Sequence, residues 1–438
     1  MPKGIEIENL PYKIGSNYMR KLFSSAYYRQ EYVDTDKIPQ DAAIIFGPNH
    51  SNAAIDAIAV MMILHGPAVF VARADIFKSK FLAFLLNFCK IMPIMRMRDG
   101  YENLSKNKEI MEESVRILNC NVPFCIFSEG THRTIRNQLP IVKGMFRIAL
   151  QANESLEGAK DVYILPYGIE YGSYNKYRTS ILTQIGEPLN VSAFVREHAE
   201  MPVAEQINEL RREFDQRLRK VHLIVPNNGC YEELYECCLI EGEELAERRH
   251  GKKFSLLQRR EANQHIANSM EQARLEHEDA QACMEKVKAF EQARKEQKIS
   301  ARSFNKKNRM LSILTKLAML IITLPYAIFS TVASSLILIV NGLLTKKMKD
   351  IAFHNSARFV IEWLLMPIST IIIAIIAFCN FSWWIALPIV LLTPPAHAFI
   401  HSYAKTARLL RSDFGLYRNK ALLNQLEEIR QTIVKYCG

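Results

Sequence analysis

Two long stretches without charged side chains lie in the C-terminal third of the chain. Residues 317–345 contain no Asp, Glu, Lys or Arg, and residues 363–400 contain none either. A helix needs roughly 20 mostly apolar residues to cross the hydrocarbon core of a bilayer. The second stretch is long enough for two spans, and Trp363, Trp383 and Trp384 lie at the edges of these spans, as anchoring at a membrane interface predicts. We therefore expect a C-terminal helical transmembrane domain.

The two stretches differ in the number of spans that they favour. The second predicts a hairpin of two spans, 359–379 and 382–400, with a tight turn between them. One straight helix over 317–345 would be about 43 Å long, more than the roughly 30 Å hydrocarbon core. Basic residues flank this first stretch on both sides: Arg302, Lys306, Lys307 and Arg309 before it, and Lys346, Lys347 and Lys349 after it. Because such clusters prefer the cytoplasm, a re-entrant hairpin bent near Pro325 is favoured over one long span.

Composition divides the chain into five predicted segments. Residues 1–38 form an N-terminal amphipathic segment, and 39–226 form a catalytic domain that ends before the breaker Pro-Asn-Asn-Gly. Residues 227–300 form a charged helical extension, 301–404 the membrane domain and 405–438 a cytoplasmic tail. The absence of an N-terminal apolar run of the signal-peptide type predicts that the catalytic domain stays on the cytoplasmic face, at the inner membrane if the cell is bacterial.

Two of these segments leave alternatives open. A helix over 16–28 carries an apolar face that suits a membrane interface or the surface of the domain. That face comprises Tyr18, Met19, Leu22, Phe23, Ala26 and Tyr27. In 231–297, a thin apolar seam predicts a helical hairpin or weak coiled coil, and hence either a homo-oligomer contact or a spacer packed on the same molecule. The seam comprises Ile266, Met270, Ala273, Ala280, Met284 and Val287.

The first motif, Asn49–Asp56, places a histidine at the end of a buried strand. The apolar run 42–46 ends in Gly-Pro, and apolar residues then recur at helical spacing after His50. Ser51 or Asn52 is expected to cap that helix, with Asp56 in its first or second turn. A carboxylate on one imidazole nitrogen fixes the tautomer and leaves the other nitrogen to take a proton.

The second motif, Phe127–Arg133, also follows an apolar run and so lies at a strand end. Arg133, Arg136 and Lys143 offer cations for a phosphate, and Gly130 allows close approach of the backbone. Two such loops can share one crevice. The alternative is a surface loop with solvated charges.

Together these motifs resemble those of the glycerolipid acyltransferase family, which includes lysophosphatidate, glycerol-phosphate and dihydroxyacetone-phosphate acyltransferases. Four blocks of the family can be placed in order, at 49–56, 92–99, 127–133 and 164–169. The resemblance covers roughly residues 40 to 190. It implies an α/β acyltransferase domain with a central, mostly parallel sheet flanked by helices, followed here by the all-α extension and the membrane domain.

The resemblance also implies the roles of the site residues. His50 would be the general base and Asp56 its partner. The acceptor and phosphate site would comprise Arg96, Glu129, Gly130, Thr131, Arg133 and Lys143. Neither a covalent acyl-enzyme, a metal nor a cofactor is implied, and the co-substrate would be acyl-CoA or an acyl carrier protein.

Two positions depart from the family pattern. Five residues separate His50 from Asp56 where four are usual, and one extra residue rotates a helical position by about 100°. The favoured acceptor is 1-acylglycerol 3-phosphate, and the longer spacing keeps glycerol 3-phosphate and dihydroxyacetone phosphate as alternatives. Ser128 stands where the family often has Pro, which changes loop stiffness more than chemistry.

Other functions receive less support from the sequence. There is no Gly-x-Ser-x-Gly elbow, no Gly-rich nucleotide loop and no Cys-x-x-Cys, and the His residues do not complete a metal-site spacing. The nine Cys residues are scattered, as in a reducing compartment. A net charge of +11 suits membrane lipids or an acidic carrier protein, and no nucleic-acid motif accompanies it. A non-catalytic membrane scaffold is the remaining alternative.

Overall fold

A single sheet forms the centre of the N-terminal half. The computed structural model describes residues 4–94, 104–305, 308–346, 348 and 350–438, and within them eight strands join this sheet. The strands are β1 Tyr27–Val33, β2 Ala43–Pro48, β3 Val69–Arg73, β4 Ile91–Ile94, β5 Phe124–Cys125, β6 Val162–Tyr171, β7 Thr179–Ile185 and β8 Leu189–Asn190. Their order is β1-β7-β6-β2-β5-β3-β4, and β8 pairs with β6.

Most neighbouring strands run parallel. The pairs β1/β7, β2/β6, β2/β5, β3/β5 and β3/β4 are parallel, while β6 pairs antiparallel with β7 and β8. The predicted α/β fold with a mostly parallel sheet is confirmed. Because Phe46 of β2 lies opposite Cys125 of β5, the carboxyl ends of these two strands are side by side.

Helices cover both faces of the sheet. They are α1 Leu10–Ala26, α2 Ala54–Met61, α3 Lys80–Phe88, α4 Leu104–Asn119, α5 Gly144–Leu156, α6 Val191–Glu197 and α7 Val203–Arg219. One core forms between the sheet and α4 to α7, and a second forms between the opposite face, α1 and α2. Each face of the sheet is therefore sealed by apolar side chains, as a parallel sheet requires.

The N-terminal segment differs from the prediction of a separate interfacial element over 1–38. Strand β1 pairs with β7, and the predicted membrane face of α1 packs against the sheet: Met19, Leu22, Phe23 and Ala26 are buried. The physical reason is that an apolar helix face is satisfied equally by hydrocarbon or by a protein core, and amphipathicity does not distinguish the two.

A third core lies in the helical extension. Helices α8 Tyr231–His250, α9 Leu256–Glu276 and α10 Glu278–Glu296 pack with the last helix of the chain, α16 Lys420–Cys437. All six residues of the predicted seam are buried here. The segment 405–438 is thus not a separate tail, because α16 supplies one wall of this core.

The extension also contacts the sheet directly. The carboxylate of Glu31 in β1 accepts hydrogen bonds from the backbone N–H groups of Leu256 (2.6 Å) and Leu257 (3.3 Å) at the start of α9. The guanidinium of Arg29 donates to the carbonyl of Phe254. Whether the extension also mediates a homo-oligomer stays a prediction.

The apolar third of the chain forms five helices: α11 Arg309–Ile322, α12 Leu324–Ala333, α13 Ser335–Thr345, α14 Ile351–Asn380 and α15 Trp383–Arg418. Helices α14 and α15 are long and apolar enough to cross a membrane, as predicted for the hairpin. A bend of 60° separates α11 from α12, next to Pro325. Residues 317–345 therefore do not form one straight helix. That this stretch enters and leaves the membrane on the same side, as a re-entrant hairpin, stays a prediction. The flanking residues Lys306, Lys307, Lys347 and Lys349 lie outside the described residues.

Candidate active site

His50 lies immediately beyond the carboxyl end of β2, where Asn49 fixes the chain. The side-chain amide of Asn49 donates to the carbonyl of Ile169 (3.1 Å) and its oxygen accepts from the N–H of Ile169 (2.7 Å). Through these two hydrogen bonds the side chain of Asn49 continues the pairing of β2 with β6 beyond the end of β2. The backbone that carries His50 is therefore anchored to the middle of the sheet.

The carboxylate of Asp56 collects four hydrogen bonds. Its Oδ2 accepts from Nδ1 of His50 (2.8 Å) and from the backbone N–H groups of Ser51 (2.8 Å) and Asn52 (2.7 Å). Its Oδ1 accepts from the hydroxyl of Tyr171 (2.6 Å). Asp56 is fully buried and His50 is 15 % exposed. The carboxylate is thus locked in place with Nδ1 of the imidazole held against it, as the predicted pair requires.

The extra residue between His50 and Asp56 is absorbed before α2 begins. Ala53 precedes the helix with φ +47° and ψ −126°, so the chain turns sharply there and Asp56 falls in the first turn. Neither Ser51 nor Asn52 caps the helix with its side chain, in contrast to the prediction. Their backbone N–H groups donate to the Asp56 carboxylate instead. In a usual N-cap the side chain before the helix accepts from an N–H inside it, whereas here a side chain inside the helix accepts from N–H groups before it.

The loop after β5 is hydrogen-bonded to the His50 loop. The N–H of Arg133 donates to the carbonyl of His50 (3.2 Å), and the N–H of His50 donates to the carboxylate of Glu129 (3.4 Å). Ser128 donates from its hydroxyl to the carbonyl of Pro48 (3.0 Å), a bond that the Pro common in the family at this position lacks. The two motifs therefore meet, as their positions at strand ends predicted.

Aromatic rings hold the imidazole of His50 from two sides. Phe127 stacks on it with ring centroids 4.0 Å apart and planes 15° from parallel. His132 meets it edge-on at 5.5 Å. Within the described residues, Nε2 of His50 has no hydrogen-bond partner. The ring orientation is therefore set by Asp56, Phe127 and His132, and Nε2 is left for a substrate.

Glu129 is an unusual carboxyl group. It is 6 % exposed. Burial raises its pKa from the usual 4.5 to about 8, against the opposing effect of the N–H groups of His50 and Leu139. Arg133 also lowers this pKa, but by less. At neutral pH the group is mostly protonated, so it can donate a hydrogen bond as well as accept the one from His50.

The remaining residues of the expected acceptor site lie at the surface of the same loops. Thr131, Arg133 and Lys143 are exposed, and Lys143 precedes the first turn of α5. Gly130 has φ +62°, a backbone conformation that favours glycine. Arg96, and with it most of the second block at 92–99, lies outside the described residues.

Arg136 does not join this group of cations. It is buried, its guanidinium donates to the carbonyl of Tyr171 (2.9 Å), and it lies over the rings of Tyr174 (5.1 Å) and Tyr235 (4.2 Å). Arg136 therefore contacts both β6, through Tyr171, and the helical extension, through Tyr235. A phosphate role for Arg136 is therefore excluded by its surroundings.

Comparison with known proteins gives a family for this region. Residues 29–170 match the family model described as Acyltransferase. The chain carries an acyltransferase domain. The matched range contains both motifs and begins within β1, which agrees with the pairing of that strand in the sheet. The resemblance stated from the motifs is thereby confirmed.

Comparison with solved structures also gives matches. The crystal structure of the 1-acyl-sn-glycerophosphate (LPA) acyltransferase PlsC from Thermotoga maritima matches with 17 % identity and a TM-score of 0.33. The match covers 47 % of this chain and 78 % of that chain. No curated protein matches the chain.

Sequence reasoning missed the residues that support the His50–Asp56 pair of the acyltransferase domain. Tyr171, at the end of β6, lies outside the four predicted blocks, yet its hydroxyl binds Asp56. A buried Tyr commonly bonds a polar partner, but the partner cannot be identified from sequence when it lies more than a hundred positions away. Asn49 was noted only as part of the motif.

The fourth block contributes packing to the acyltransferase domain. A Cβ at Gly168 would lie 1.9 Å from the carbonyl oxygen of Val221, so only glycine allows the chain after α7 to pass this close to β6. Close packing of the backbone therefore accounts for Gly168 in this block.

Helix α14 of the apolar third reaches the acyltransferase domain beside the His50 loop. The hydroxyl of Ser356 accepts from the N–H of Ala54 (3.1 Å) at the start of α2 and donates to the carbonyl of Asn52 (3.4 Å). The ring of Phe353 meets His132 edge-on at 5.0 Å. One end of a candidate membrane span is therefore in contact with the loop that carries the catalytic pair.

Proposed function

We propose that the acyltransferase domain transfers a fatty acyl group from a thioester, acyl-CoA or acyl carrier protein, to the free hydroxyl of 1-acylglycerol 3-phosphate, forming phosphatidate at the cytoplasmic face of a membrane. The observation that carries the proposal is the buried Asp56 carboxylate on Nδ1 of His50, with Nε2 left without a partner among the described residues. This arrangement suits a general base for an alcohol.

In this mechanism His50 removes the proton of the acceptor hydroxyl as its oxygen attacks the thioester carbonyl. The C–S bond breaks, the thiolate leaves, and the proton on Nε2 is available to it. Asp56 stabilises the imidazolium that forms between these events. Glu129 is a positioning residue, because it is buried and binds the backbone of the His50 loop.

The phosphate of the acceptor would lie against the exposed cations of the second motif. Arg133 and Lys143 stand at the surface beside Gly130, and a phosphate needs such charges without a buried counter-ion. We place Arg96 in the same group on the family resemblance alone.

Exposed apolar side chains form a surface on α1 and α3 that supports an amphiphilic acceptor. Leu10 and Ile14 of α1 and Phe81 and Phe84 of α3 are exposed. Phe88 of α3 links this surface to α14 through Trp363, at a ring distance of 5.9 Å. This outer side of α1, opposite to its predicted membrane face, is suited to the bilayer interface.

Glycerol 3-phosphate or dihydroxyacetone phosphate is the second candidate acceptor. The five-residue spacing between His50 and Asp56 favours it by resemblance to those branches of the family. The geometry of the catalytic pair is compatible with either acceptor, since the extra residue is absorbed at Ala53.

Competition between acceptors tests the proposal. Membranes that contain the protein are incubated with radiolabelled acyl-CoA or acyl carrier protein and with 1-acylglycerol 3-phosphate or glycerol 3-phosphate in parallel. We expect labelled phosphatidate from the first acceptor, lowered by about 10²- to 10⁴-fold in His50→Ala.

The matched control is His65→Ala, because His65 is an exposed loop residue. Product from glycerol 3-phosphate only would identify the enzyme as a glycerol 3-phosphate acyltransferase. Turnover that survives in His50→Ala, or the absence of turnover with both donors and both acceptors, would contradict the proposal.

A further inference from the structure

Three potential metal ligands meet where the candidate membrane helices adjoin the acyltransferase domain. Glu362 lies on α14, and His397 and His401 lie one turn apart on α15. Each offers one ligand atom, and these atoms all lie within 4.8 Å of one another. The proposed acyl transfer uses none of the three.

Glu362 and His397 are buried and His401 is half-buried, and each of the three has a buried polar atom without a hydrogen-bond partner among the described residues. Glu362 is 1 % exposed and His397 is 2 % exposed, and Nε2 of His397 contacts Oε1 of Glu362 at 2.8 Å. The other carboxylate oxygen of Glu362, Nδ1 of His397 and Nε2 of His401 are buried without a hydrogen-bond partner among the described residues. Leaving buried polar atoms unpaired costs about 1–3 kcal/mol each, and more for a charged group.

A simple ion pair does not account for the third residue. An ion pair needs only Glu362 and His397. His401 is nevertheless present beside them, with its ring edge-on to that of His397 at a centroid distance of 4.7 Å. Two imidazoles and a carboxylate are ligands that Zn²⁺ and Fe²⁺ share. With bonds of about 2.0–2.2 Å, tetrahedral ligand atoms lie roughly 3.4 Å apart. A separation at the 4.8 Å limit would therefore have to shrink by about 1.4 Å to close the site.

We propose that Glu362, His397 and His401 bind one divalent first-row transition-metal ion, Zn²⁺ by preference, with a fourth position open to water or to Tyr177. Tyr177 stacks on His401 with centroids 4.5 Å apart and planes 28° from parallel. Ionised carboxylate and neutral imidazoles would together leave the ion with one net positive charge, which a buried tyrosine hydroxyl or water can solvate.

The position of the site gives the ion a structural role. Tyr177 belongs to the connection between β6 and β7 of the acyltransferase domain, and its neighbours bind the same two helices. The guanidinium of Arg358 on α14 donates to the carbonyl of Asn175 (2.9 Å), and the ammonium of Lys405 on α15 donates to the carbonyl of Arg178 (2.7 Å). The ion would therefore tie α14 and α15 to each other beside the point where both contact the domain.

This arrangement was not visible in the sequence. His397 and His401 have the spacing of two ligands on one helix face, but Glu362 is 35 positions from His397 along the chain. Only the antiparallel packing of α14 against α15 brings the carboxylate to the imidazoles.

Metal content of the purified full-length protein in detergent is the first test. We expect about one Zn²⁺ or Fe²⁺ per chain by elemental analysis. Removal of the ion with a chelator should lower the midpoint of thermal unfolding, and ZnCl₂ added to the chelator-treated protein should restore it. Parallel additions of Fe²⁺ and Mn²⁺ without oxygen identify the preferred ion.

Variants locate the ion. Glu362→Gln and His397→Ala should lose the bound metal and the response of the midpoint to ZnCl₂, while the matched control His354→Ala on α14 should keep both. His354 is half-buried, its Nε2 contacts the carbonyl of Met348 (2.9 Å), and it is not one of the three ligands. Elemental analysis measures this independently of acyl transfer, so failure of the proposed reaction would not affect the result.

Two results would overturn the proposal. One is that the chelator-treated wild-type protein takes up none of the three ions, a measurement that does not depend on the folding of any variant. The other is that the double variant Glu362→Gln, His397→Ala retains as much metal as His354→Ala.

Discussion

At the scale of single residues, Asp56 is oriented by groups from two separate parts of the chain. His50, the N–H groups of Ser51 and Asn52, and the hydroxyl of Tyr171 all bind the same carboxylate. A carboxylate held by four donors keeps one position, so the imidazole bound to it is also held. Tyr171 is thus a positioning residue in the proposed reaction.

The substitution Tyr171→Phe tests this role. We expect a loss of about 1–2 kcal/mol in the free energy of unfolding, because a buried hydrogen bond disappears. We also expect a lower kcat with little change in KM, because Asp56 then orients His50 less well. Tyr167→Phe is the matched control, since its hydroxyl lies on the same strand but donates to the carbonyl of Ala59. Equal kcat in the two variants would contradict a role for Tyr171 in the site.

Glu129 makes stability depend on pH. Its pKa is raised from the usual 4.5 to about 8, so the folded state keeps a proton that the unfolded chain releases above pH 4.5. The contribution of the protonated group is therefore fully present below pH 4.5 and is lost progressively as pH rises toward 8.

The variant Glu129→Gln removes this titration while it keeps a neutral side chain of the same shape. We expect the unfolding free energy of the variant to exceed that of the wild type by an amount that grows between pH 4.5 and 8 and then levels off. Chemical denaturation at a series of pH values measures it. A difference that does not change with pH would show that Glu129 has an ordinary pKa.

At the scale of elements, the longer spacing in the first motif is accommodated by one strained residue. Ala53 has φ +47° outside the region that residues with a Cβ prefer, and α2 then begins in the register that places Asp56 beneath His50. The strain is a local cost of keeping the catalytic pair together, of order 1–3 kcal/mol.

Replacing this residue by glycine should relieve the strain. We expect Ala53→Gly to raise the free energy of unfolding by about 1 kcal/mol, because the relief exceeds the entropy lost by glycine on folding. The control Ala57→Gly, within α2, should lower it by about 1 kcal/mol. Thermal or denaturant unfolding gives both values. Destabilisation by both variants would mean that Ala53 is not strained.

Some of these elements could be predicted from local sequence patterns, and the environment of one of them could not. The hairpin α14–α15 was predicted because charge is absent over a length that only a membrane span or a large core would use. The strands before both motifs were predicted from short apolar runs. The inward face of α1 was left open between the membrane interface and the domain surface, because its periodicity is the same in either environment.

At the scale of the whole molecule, the acyltransferase domain is not independent of the segments that follow it. Glu31 in β1 binds the start of α9, Arg136 lies over Tyr235 of α8, and Phe359 of α14 joins the core between α1 and the sheet. A boundary at residue 226 follows composition, but these contacts cross it.

A chain that ends at residue 226 tests this coupling. We expect it to aggregate or to unfold at a clearly lower temperature than the full chain in the same detergent, because its buried Arg136 loses the ring of Tyr235 and its core loses Phe359. Size-exclusion chromatography and thermal unfolding measure the outcome. A soluble, monomeric fragment with an unchanged midpoint would show that the domain folds alone.

The sequence by itself determined the features that depend on neighbours along the chain. These are the strand ends that carry His50 and Glu129, the helix that carries Asp56, and the apolar length of α14 and α15. Only the tertiary structure decided which distant groups meet them. Tyr171 on Asp56, α14 against the His50 loop, and Glu362 beside His397 and His401 arise from packing between segments far apart in the chain. A local sequence pattern indicates that a buried polar side chain needs a partner, but only the packing of distant segments determines which residue that partner is.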